Sequence, residues 1–196
     1  MADAAVLVPA PHARMAKLPP YRIVPATEAH VPGIWAVYGY YILHSVATAQ
    51  AEVPDAAGQM DWFHHHPADT YPVFVAVANK AAEDGVAAET VLGWCSLSQW
   101  STREAYYRTA ETSVYVAQAA LGHGLGKALM DFLIPHVHAH IPRLRLLIAR
   151  FAGDNAASRK LHTELGFTKL GVMLGAMEKF GREIDVEMMQ YVLPAR

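Results

Sequence analysis

Three glycines at alternate positions, Gly122, Gly124 and Gly126, are followed directly by Lys127 in the stretch ALGHGLGKALM. Glycine is a poor helix former, yet an apolar pattern typical of a helix begins here. The first backbone N–H groups of a helix lack intrahelical partners, and the helix dipole adds partial positive charge there. Because glycine has no Cβ, the backbone can approach a bulky anion closely. The stretch therefore predicts a phosphate-binding turn, to which Lys127 would add a cation.

Two widespread phosphate-binding motifs do not match this turn. GxxxxGK[ST] pairs Gly122 with Lys127, but the spacing is wrong, and Ala128 stands where a hydroxyl would bind magnesium. GxGxxG also fails, because the glycines are all two positions apart. An ordinary glycine-rich turn between a strand and a helix remains the alternative interpretation.

Acid–base chemistry has two candidate residues, Glu111 and His162. Glu111 lies three residues before the apolar run VYV, and a carboxylate there could accept a proton. His162 precedes TELGF, and an imidazole can exchange a proton near neutral pH. The alternatives are a surface glutamate at a strand edge and a helix histidine packed on the sheet.

Thiol and metal chemistry have less support. Cys95 is the single cysteine, which excludes an internal disulfide, and its apolar surroundings favour a buried strand residue over a catalytic thiol. Of the 11 histidines, residues 64–66 are consecutive and would fan out around a helix. His136 and His140 have zinc-compatible spacing, but no glutamate completes an HExxH pattern. We predict no metal.

Composition narrows the class of protein. The 196 residues fit one domain, 53% are hydrophobic, and the formal net charge is −2 without any basic run, which argues against nucleic-acid binding. No apolar run reaches the roughly 18 residues of a membrane span, so we expect no membrane partner. Residues 1–20 are rich in Ala and Pro and lack a signal-peptide pattern. We expect a flexible N-terminal arm over 1–20, one domain over 21–196 and a cytoplasmic setting.

Hydrophobic periodicity defines the elements that would position these residues. Strands are predicted at 71–78, 90–100, 111–118 and 143–150, and residues 21–27 are predicted to be a short strand that ends in a turn. Two last strands are predicted, one on each side of Gly181. Helices are predicted at 29–43, 57–66, 127–140, with Pro135 as a kink, and 154–165, with Gly166 as the C-terminal glycine. Segments 79–89 and 101–110 are predicted to be connections. This order predicts an α/β fold with a mixed central β-sheet flanked by helices in a single domain.

The order of motifs resembles the GNAT superfamily of acetyl-CoA-dependent N-acetyltransferases. SVYVAQAALGHGLGKAL is similar to the family's strand, Q/R-x-x-G-x-G/A turn and helix, and DNAASRKLHTELGF is similar to its Asn-x-x-Ser helix. Together with STREAYYRTAETSVYV, these motifs resemble the phosphinothricin and methionine sulfone acetyltransferase subgroup over residues 21–193. The resemblance implies a GNAT-like sheet.

The resemblance also implies the binding mode of acetyl-CoA. The diphosphate would lie on the backbone amides of the turn, the pantetheine would run beside the third central strand where two strands splay apart, and Asn155 would hydrogen-bond it. The implied cofactor-binding residues are Val114, Tyr115, Val116, Gly122, His123, Gly124, Leu125, Gly126, Lys127, Asn155 and Ser158. Leu121 replaces the family's Gln or Arg, which removes a side-chain phosphate contact that Lys127 or His123 would supply.

For catalysis, the resemblance implies Glu111 as general base and His162 as proton donor to the leaving thiolate. Arg103 and Tyr106 match positions that hold the substrate carboxylate, and Ser45 lies in the segment matching the family's substrate lid. Ala49 stands where that lid usually has an aromatic residue, which would widen the pocket. The implied acceptor is a small amino acid-like amine.

The implied function is acetyl transfer to an amine of the phosphinothricin, methionine sulfone or methionine sulfoximine type, by direct attack in a ternary complex. Two other functions remain open: acetylation of a protein or peptide N-terminus, and non-catalytic binding of acyl-CoA. The resemblance also allows for a homodimer.

Overall fold

The computed structural model describes residues 14–79, 87 and 89–195. One seven-stranded mixed sheet has the strand order β1-β2-β3-β4-β5-β7-β6 and is flanked by helices. The strands are β1 (Tyr21–Pro25), β2 (Val73–Ala78), β3 (Val91–Gln99), β4 (Thr109–Val116), β5 (Leu146–Ala152), β6 (Thr168–Lys179) and β7 (Arg182–Val192). The α-helices are α1 (Val31–His44), α2 (Ala56–His64), α3 (Leu125–His140) and α4 (Ala156–Glu164). The predicted α/β class and single mixed sheet are confirmed.

Element boundaries differ from the prediction by a few residues. β4 begins at Thr109 rather than at Glu111, because Thr109 and Ala110 already pair with β5. The segment before it contains a short 3-10 turn, Glu104–Tyr106. α3 continues through Pro135 as one helix. Most of the connection predicted at 79–89 lies outside the described residues.

The sheet has a hydrophobic core on each face. α3 packs on one face through fully buried side chains such as Leu129 and Leu133, and α1 packs on the other around Trp35 and Trp94. Cys95 faces α3, where its thiol lies 3.5 Å from the Leu129 carbonyl oxygen. Burial raises the pKa of the Cys95 thiol, so the thiolate needed for nucleophilic attack is disfavoured. This confirms Cys95 as a buried strand residue.

The parallel strands β4 and β5 pair only at one end. Their ladder joins residues 109–111 to residues 146–148, and it stops there although β4 continues to Val116 and β5 to Ala152. At the last pair, the hydroxyl of Thr112 donates a hydrogen bond to the Ile148 carbonyl at 3.2 Å. The two strands separate beyond this point, as the family resemblance implied.

Residues 14–20 are attached to the domain, unlike the flexible arm expected over 1–20. The Met15 amide donates to the Ala119 carbonyl at 2.8 Å, and Met15 and Leu18 pack against the core on the α3 face. Residues 1–13 lie outside the described residues, so the expectation for them stays a prediction. None of the helices in the described ranges has both the length and the hydropathy to cross a bilayer.

Candidate active site

A cavity of about 1160 Å³ follows the gap between β4 and β5. It runs from the loop after α1 to the turn before α3 and the first turn of α4. Both main-chain edges of the gap contribute to its walls, through residues 111–116 on β4 and residues 149–152 on β5. An extended ligand in this gap could hydrogen-bond the strand edges that pair with no other strand.

The glycine turn has the backbone conformation that an anion site requires. Gly122 and Gly124 have φ angles of +80° and +78°, in the left-handed region that favours glycine. The first intrahelical bond of α3 runs from the Ala128 amide to the Gly124 carbonyl, so the amides of residues 125–127 precede the helix ladder. A Cβ at Gly124 would meet no atom within 4 Å, which leaves open space for a ligand. The turn therefore fits a diphosphate at the helix N-terminus.

The first turn of α4 faces the same cavity through Asn155 and Ser158. The Asn155 Oδ1 atom accepts the Ser158 amide at 3.0 Å and thereby caps the helix. Since this oxygen serves the cap, the Asn155 side chain offers a ligand its NH₂ group as donor.

His162 lies one turn further along α4 and is only 4% exposed. Its ring is stacked on Phe151, at 5.5 Å between centroids, and its Nδ1 atom lies 2.8 Å from the Ser158 carbonyl oxygen. Because a carbonyl only accepts, Nδ1 carries the proton of this hydrogen bond. Burial lowers the pKa of His162 more than this bond raises it, so the neutral imidazole is favoured at pH 7.

Glu111 stands on β4 at the last pair of the ladder, where the gap begins. Both of its carboxylate oxygens are held by Arg150 of β5, at 2.7 Å from Nε and 2.5 Å from Nη2. The guanidinium of Arg150 also lies over the Trp100 ring, 5.3 Å from its centroid. A bidentate pair of this kind fixes the direction of the carboxylate.

Half-buried tyrosines form the wall beside Glu111. Tyr38, Tyr41 and Tyr115 line the cavity, and the Tyr41 hydroxyl donates to the Val116 carbonyl at 2.7 Å. The Tyr38 hydroxyl and Thr48 lie 2.7 Å apart and join α1 to the following loop. Burial raises the pKa of Tyr41 to about 12, so its hydroxyl stays protonated and keeps its donor role. The tyrosine wall is therefore uncharged at neutral pH.

Most residues predicted for the site line this one cavity. They are Ser45, Glu111, Val114, Tyr115, Val116, Gly122, Gly124, Leu125, Gly126, Lys127, Asn155, Ser158 and His162. Three others do not line it: His123, whose Nε2 donates to the Met15 carbonyl at 2.9 Å, and Arg103 and Tyr106, which are exposed on the loop before β4. Ala49, in the loop after α1, does line it.

Sequence reasoning did not single out Arg150, Tyr38 or Tyr41 as site residues. Arg150 lies in a strand pattern that predicts only alternation, and the tyrosines lie in a helix pattern that predicts only a buried face. No local signal identifies them, because the gap that exposes them is formed by distant segments. Over the described ranges, no group of three or more His, Cys, Asp or Glu side chains could hold a metal ion.

Comparisons with known proteins agree on one family. The model of the Acetyltransferase (GNAT) family matches residues 37–167. The chain is 35% identical over 165 residues to an L-methionine sulfoximine/L-methionine sulfone acetyltransferase from Pseudomonas aeruginosa, covering 84% of this chain and 90% of that protein.

Two solved structures are similar as well. A putative acetyltransferase from Salmonella typhimurium with its cofactor acetyl-CoA is 30% identical, with a TM-score of 0.80, covering 90% of this chain and 95% of that one. A phosphinothricin acetyltransferase from Sinorhizobium meliloti in complex with acetyl-CoA is 31% identical, with a TM-score of 0.77 and 88% coverage of each chain.

Proposed function

Because the chain belongs to the GNAT family of acetyltransferases, we propose that it transfers the acetyl group of acetyl-CoA to the amine of a small amino acid-like acceptor. Methionine sulfoximine, methionine sulfone and phosphinothricin represent the acceptor class. The observation that carries the proposal is the continuous cavity between β4 and β5, which joins an anion-binding turn at one end to Glu111 at the other.

The proposed donor site extends along the gap. The amides of residues 122–127 hold the diphosphate, the free edge of β4 at Val114 to Val116 bonds the pantetheine, and Asn155 donates to it through its NH₂ group. Ser158 lines the same stretch of the cavity. This placement is supported by the left-handed glycines and by the end of the β4–β5 ladder at Glu111.

In the proposed reaction, acetyl-CoA supplies a thioester carbonyl as the electrophile. Glu111, directed by Arg150, accepts the proton that the acceptor's ammonium group must lose before its nitrogen can attack. Backbone N–H groups on the free edge of β4 stabilise the negative charge that develops on the carbonyl oxygen. The C–N bond forms and the C–S bond breaks within one ternary complex, without an acyl-enzyme.

We propose His162 as the proton donor to the leaving sulfur. Its hydrogen bonding limits which ring nitrogen can donate. Nδ1 is bonded to the Ser158 carbonyl, so the transferred proton must reside on Nε2 of an imidazolium. Since burial lowers the pKa of His162 below its ordinary value, this form is already the minor one at neutral pH and becomes scarcer still as the pH rises.

The acceptor's carboxylate is proposed to bind Ser45, Arg103 and Tyr106. Ser45 lines the cavity near the tyrosine wall. Arg103 and Tyr106 belong to the loop that begins at Trp100, whose ring contacts Arg150 of the cavity wall. Their side chains are exposed, so this role requires the loop to fold inward over the acceptor.

We further propose a cytoplasmic homodimer. Acetyl-CoA is the donor in this proposal, which favours the compartment that supplies it. β6 is an edge strand with exposed apolar side chains, including Leu174 at 82% exposure, and such an edge favours pairing with a second copy. Sedimentation equilibrium tests the dimer, and a concentration-independent monomer would contradict it.

A thiol-release assay with acetyl-CoA tests the proposed activity. The panel contains methionine sulfoximine, methionine sulfone, phosphinothricin, ordinary amino acids and short peptides with a free N-terminus. Turnover confined to free amino acid-like acceptors supports the proposal. Preference for peptides would favour N-terminal acetylation, and CoA binding without release from any acceptor would favour a non-catalytic module.

A further inference from the structure

The turn that binds phosphate has an apolar residue, Leu121, directly before its first glycine. The two side chains expected to supply the missing polar contact are engaged elsewhere. Lys127 pairs with Asp131 at 2.6 Å, and His123 donates to the Met15 carbonyl at 2.9 Å. The side chains of the turn therefore leave the diphosphate site without an uncommitted cation.

A cation from outside the turn lies at this position. The Nε atom of Arg14 donates to the Leu121 carbonyl at 2.8 Å. Its Nη2 atom lies 1.5 Å from the point that a Cβ on Gly122 would occupy, so the guanidinium fills the space over that glycine. Gly122 itself lines the cavity. The absence of a side chain at residue 122 is thus what admits the guanidinium to the turn.

The backbone next to Arg14 is anchored on both sides of Leu121. The Met15 amide donates to the Ala119 carbonyl at 2.8 Å, and the Met15 carbonyl accepts from His123. Leu18 packs against the core three residues later. These contacts hold the segment against residues 119–123, so the placement of Arg14 does not depend on one exposed side chain alone.

We propose that Arg14 is a phosphate-binding residue of the donor site, delivered by the segment before β1 to the turn at Gly122. This proposal rests on the proposed acetyl-CoA function. One guanidinium N–H is used by the Leu121 carbonyl, and the remaining N–H groups are the donors that suit a phosphate. The cation also adds to the positive end of the α3 dipole.

The opposite role for Arg14 makes a different prediction. If the guanidinium only covers the turn and must leave before a diphosphate can bind, its removal strengthens CoA binding. If it binds the diphosphate, its removal weakens CoA binding and flattens the dependence on salt. The two roles therefore differ in the sign of the change in CoA affinity.

Calorimetry of CoA binding to the full chain tests the proposal with Arg14→Gln. Glutamine can still donate to the Leu121 carbonyl but carries no charge. We expect the Kd for CoA to rise on the order of tenfold at low salt. The difference in Kd between Arg14→Gln and wild type should become smaller at high salt. Lys17→Ala is the matched control, because it removes one exposed positive charge from the same segment. Its Kd should stay near that of wild type.

An acetyl donor without phosphates distinguishes the loss of the Arg14 charge from structural damage to the gap between β4 and β5. Acetyl transfer from S-acetyl-pantetheine should be equal in wild type and Arg14→Gln, since that donor never reaches the turn. An unchanged or lower Kd for CoA in Arg14→Gln, or an equal loss with the phosphate-free donor, would overturn the role of Arg14. Failure of the wild-type chain to bind CoA at all would instead overturn the proposed function.

Discussion

Glu111 of β4 and Arg150 of β5 form a bidentate ion pair at the point where their two strands separate. Both residues line the cavity, and the Glu111 side chain remains 18% exposed. A carboxylate held in this way has one fixed orientation, and it can accept a proton only along the directions that Arg150 leaves open.

Glu111→Gln tests the base while keeping the size of the side chain. We expect kcat for the preferred acceptor to fall on the order of a hundredfold to a thousandfold, because an amide cannot take the ammonium proton. The Kd for CoA should change little, since the diphosphate site lies at the other end of the cavity. Glu104→Gln, on the exposed loop before β4, is the control. A Glu111→Gln enzyme with near wild-type kcat would remove Glu111 from the mechanism.

Gly124→Val tests the anion-binding turn. A β-branched side chain projects into the open space over residue 124, and we expect CoA to bind at least on the order of tenfold more weakly by calorimetry. Gly181→Val is matched, because Gly181 also has a positive φ, +69°, with no atom within 4 Å of its Cβ position, but lies in the β6–β7 turn. Equal CoA affinities of the two variants would contradict the diphosphate site.

Thr112→Val tests the end of the β4–β5 ladder. Thr112 is buried, and its hydroxyl satisfies the Ile148 carbonyl, so its loss should lower the free energy of unfolding by about 1–3 kcal/mol. Urea unfolding measures the change. Thr109→Val is the control on the same strand, because the Thr109 hydroxyl makes no side-chain hydrogen bond to any residue in the described ranges. If both variants lose the same stability, the Thr112–Ile148 bond contributes nothing specific.

His162 should make stability depend on pH. Burial lowers its pKa in the folded chain, whereas the unfolded chain has an imidazole near its ordinary pKa of about 6.5. Between these two values the unfolded state binds more protons, so the free energy of unfolding falls as the pH drops below about 6.5. We expect the free energy of unfolding to fall less steeply below about pH 6.5 in His162→Gln than in wild type, measured by urea unfolding at each pH.

The exposed His140→Gln serves as the control for that measurement. Equal slopes for wild type and His162→Gln would show that the buried imidazole takes no part in the pH dependence of stability.

His162→Gln also tests catalysis. If His162 is the proton donor, wild-type kcat declines as the pH rises, and His162→Gln lacks this decline. A variant with the wild-type pH profile of kcat would leave His162 as a packing residue.

Arg103→Ala tests carboxylate recognition. We expect KM for a carboxylate-bearing acceptor to rise on the order of tenfold, and KM for its amide to change little, because the guanidinium pairs with the charge. Arg22→Ala, which removes an exposed arginine from the edge strand β1, is the control, because Arg108 lies close enough to Arg103 to share its role. Equal effects of Arg103→Ala on acid and amide would exclude Arg103 from the acceptor site.

The sequence predicts the fold well because the patterns that indicate its strands, helices and turns each involve residues close together in the chain. The β-branched and aromatic runs of β2 and β3, the asparagine cap of α4 and the glycine turn before α3 each depend on nearby residues. The same local reasoning predicted that the glycines at 122 and 124 let the backbone approach an anion closely, and their positive φ angles are a finding of the structure.

The two arginines that the sequence analysis did not single out make non-local contacts. Arg14 reaches Leu121 across 107 positions, and Arg150 reaches Glu111 across 39. Neither partner can be read from spacing or periodicity, because the contacts exist only once the sheet has brought the segments together. The pairing of Lys127 with Asp131 is local instead, at i,i+4 on one helix, and it engages the side chain that was expected to serve the phosphate.

The short ladder between β4 and β5 has a mechanical consequence. It divides the sheet into two halves, one with β1 to β4 and the other with β5 to β7. The two halves pair only through residues 109–111 and 146–148. A molecule lying in the gap between β4 and β5 would hydrogen-bond to both halves, as an additional strand would. Binding of acetyl-CoA should therefore stabilise both halves of the sheet. We expect slower amide hydrogen exchange on both sides of the gap and a higher melting temperature.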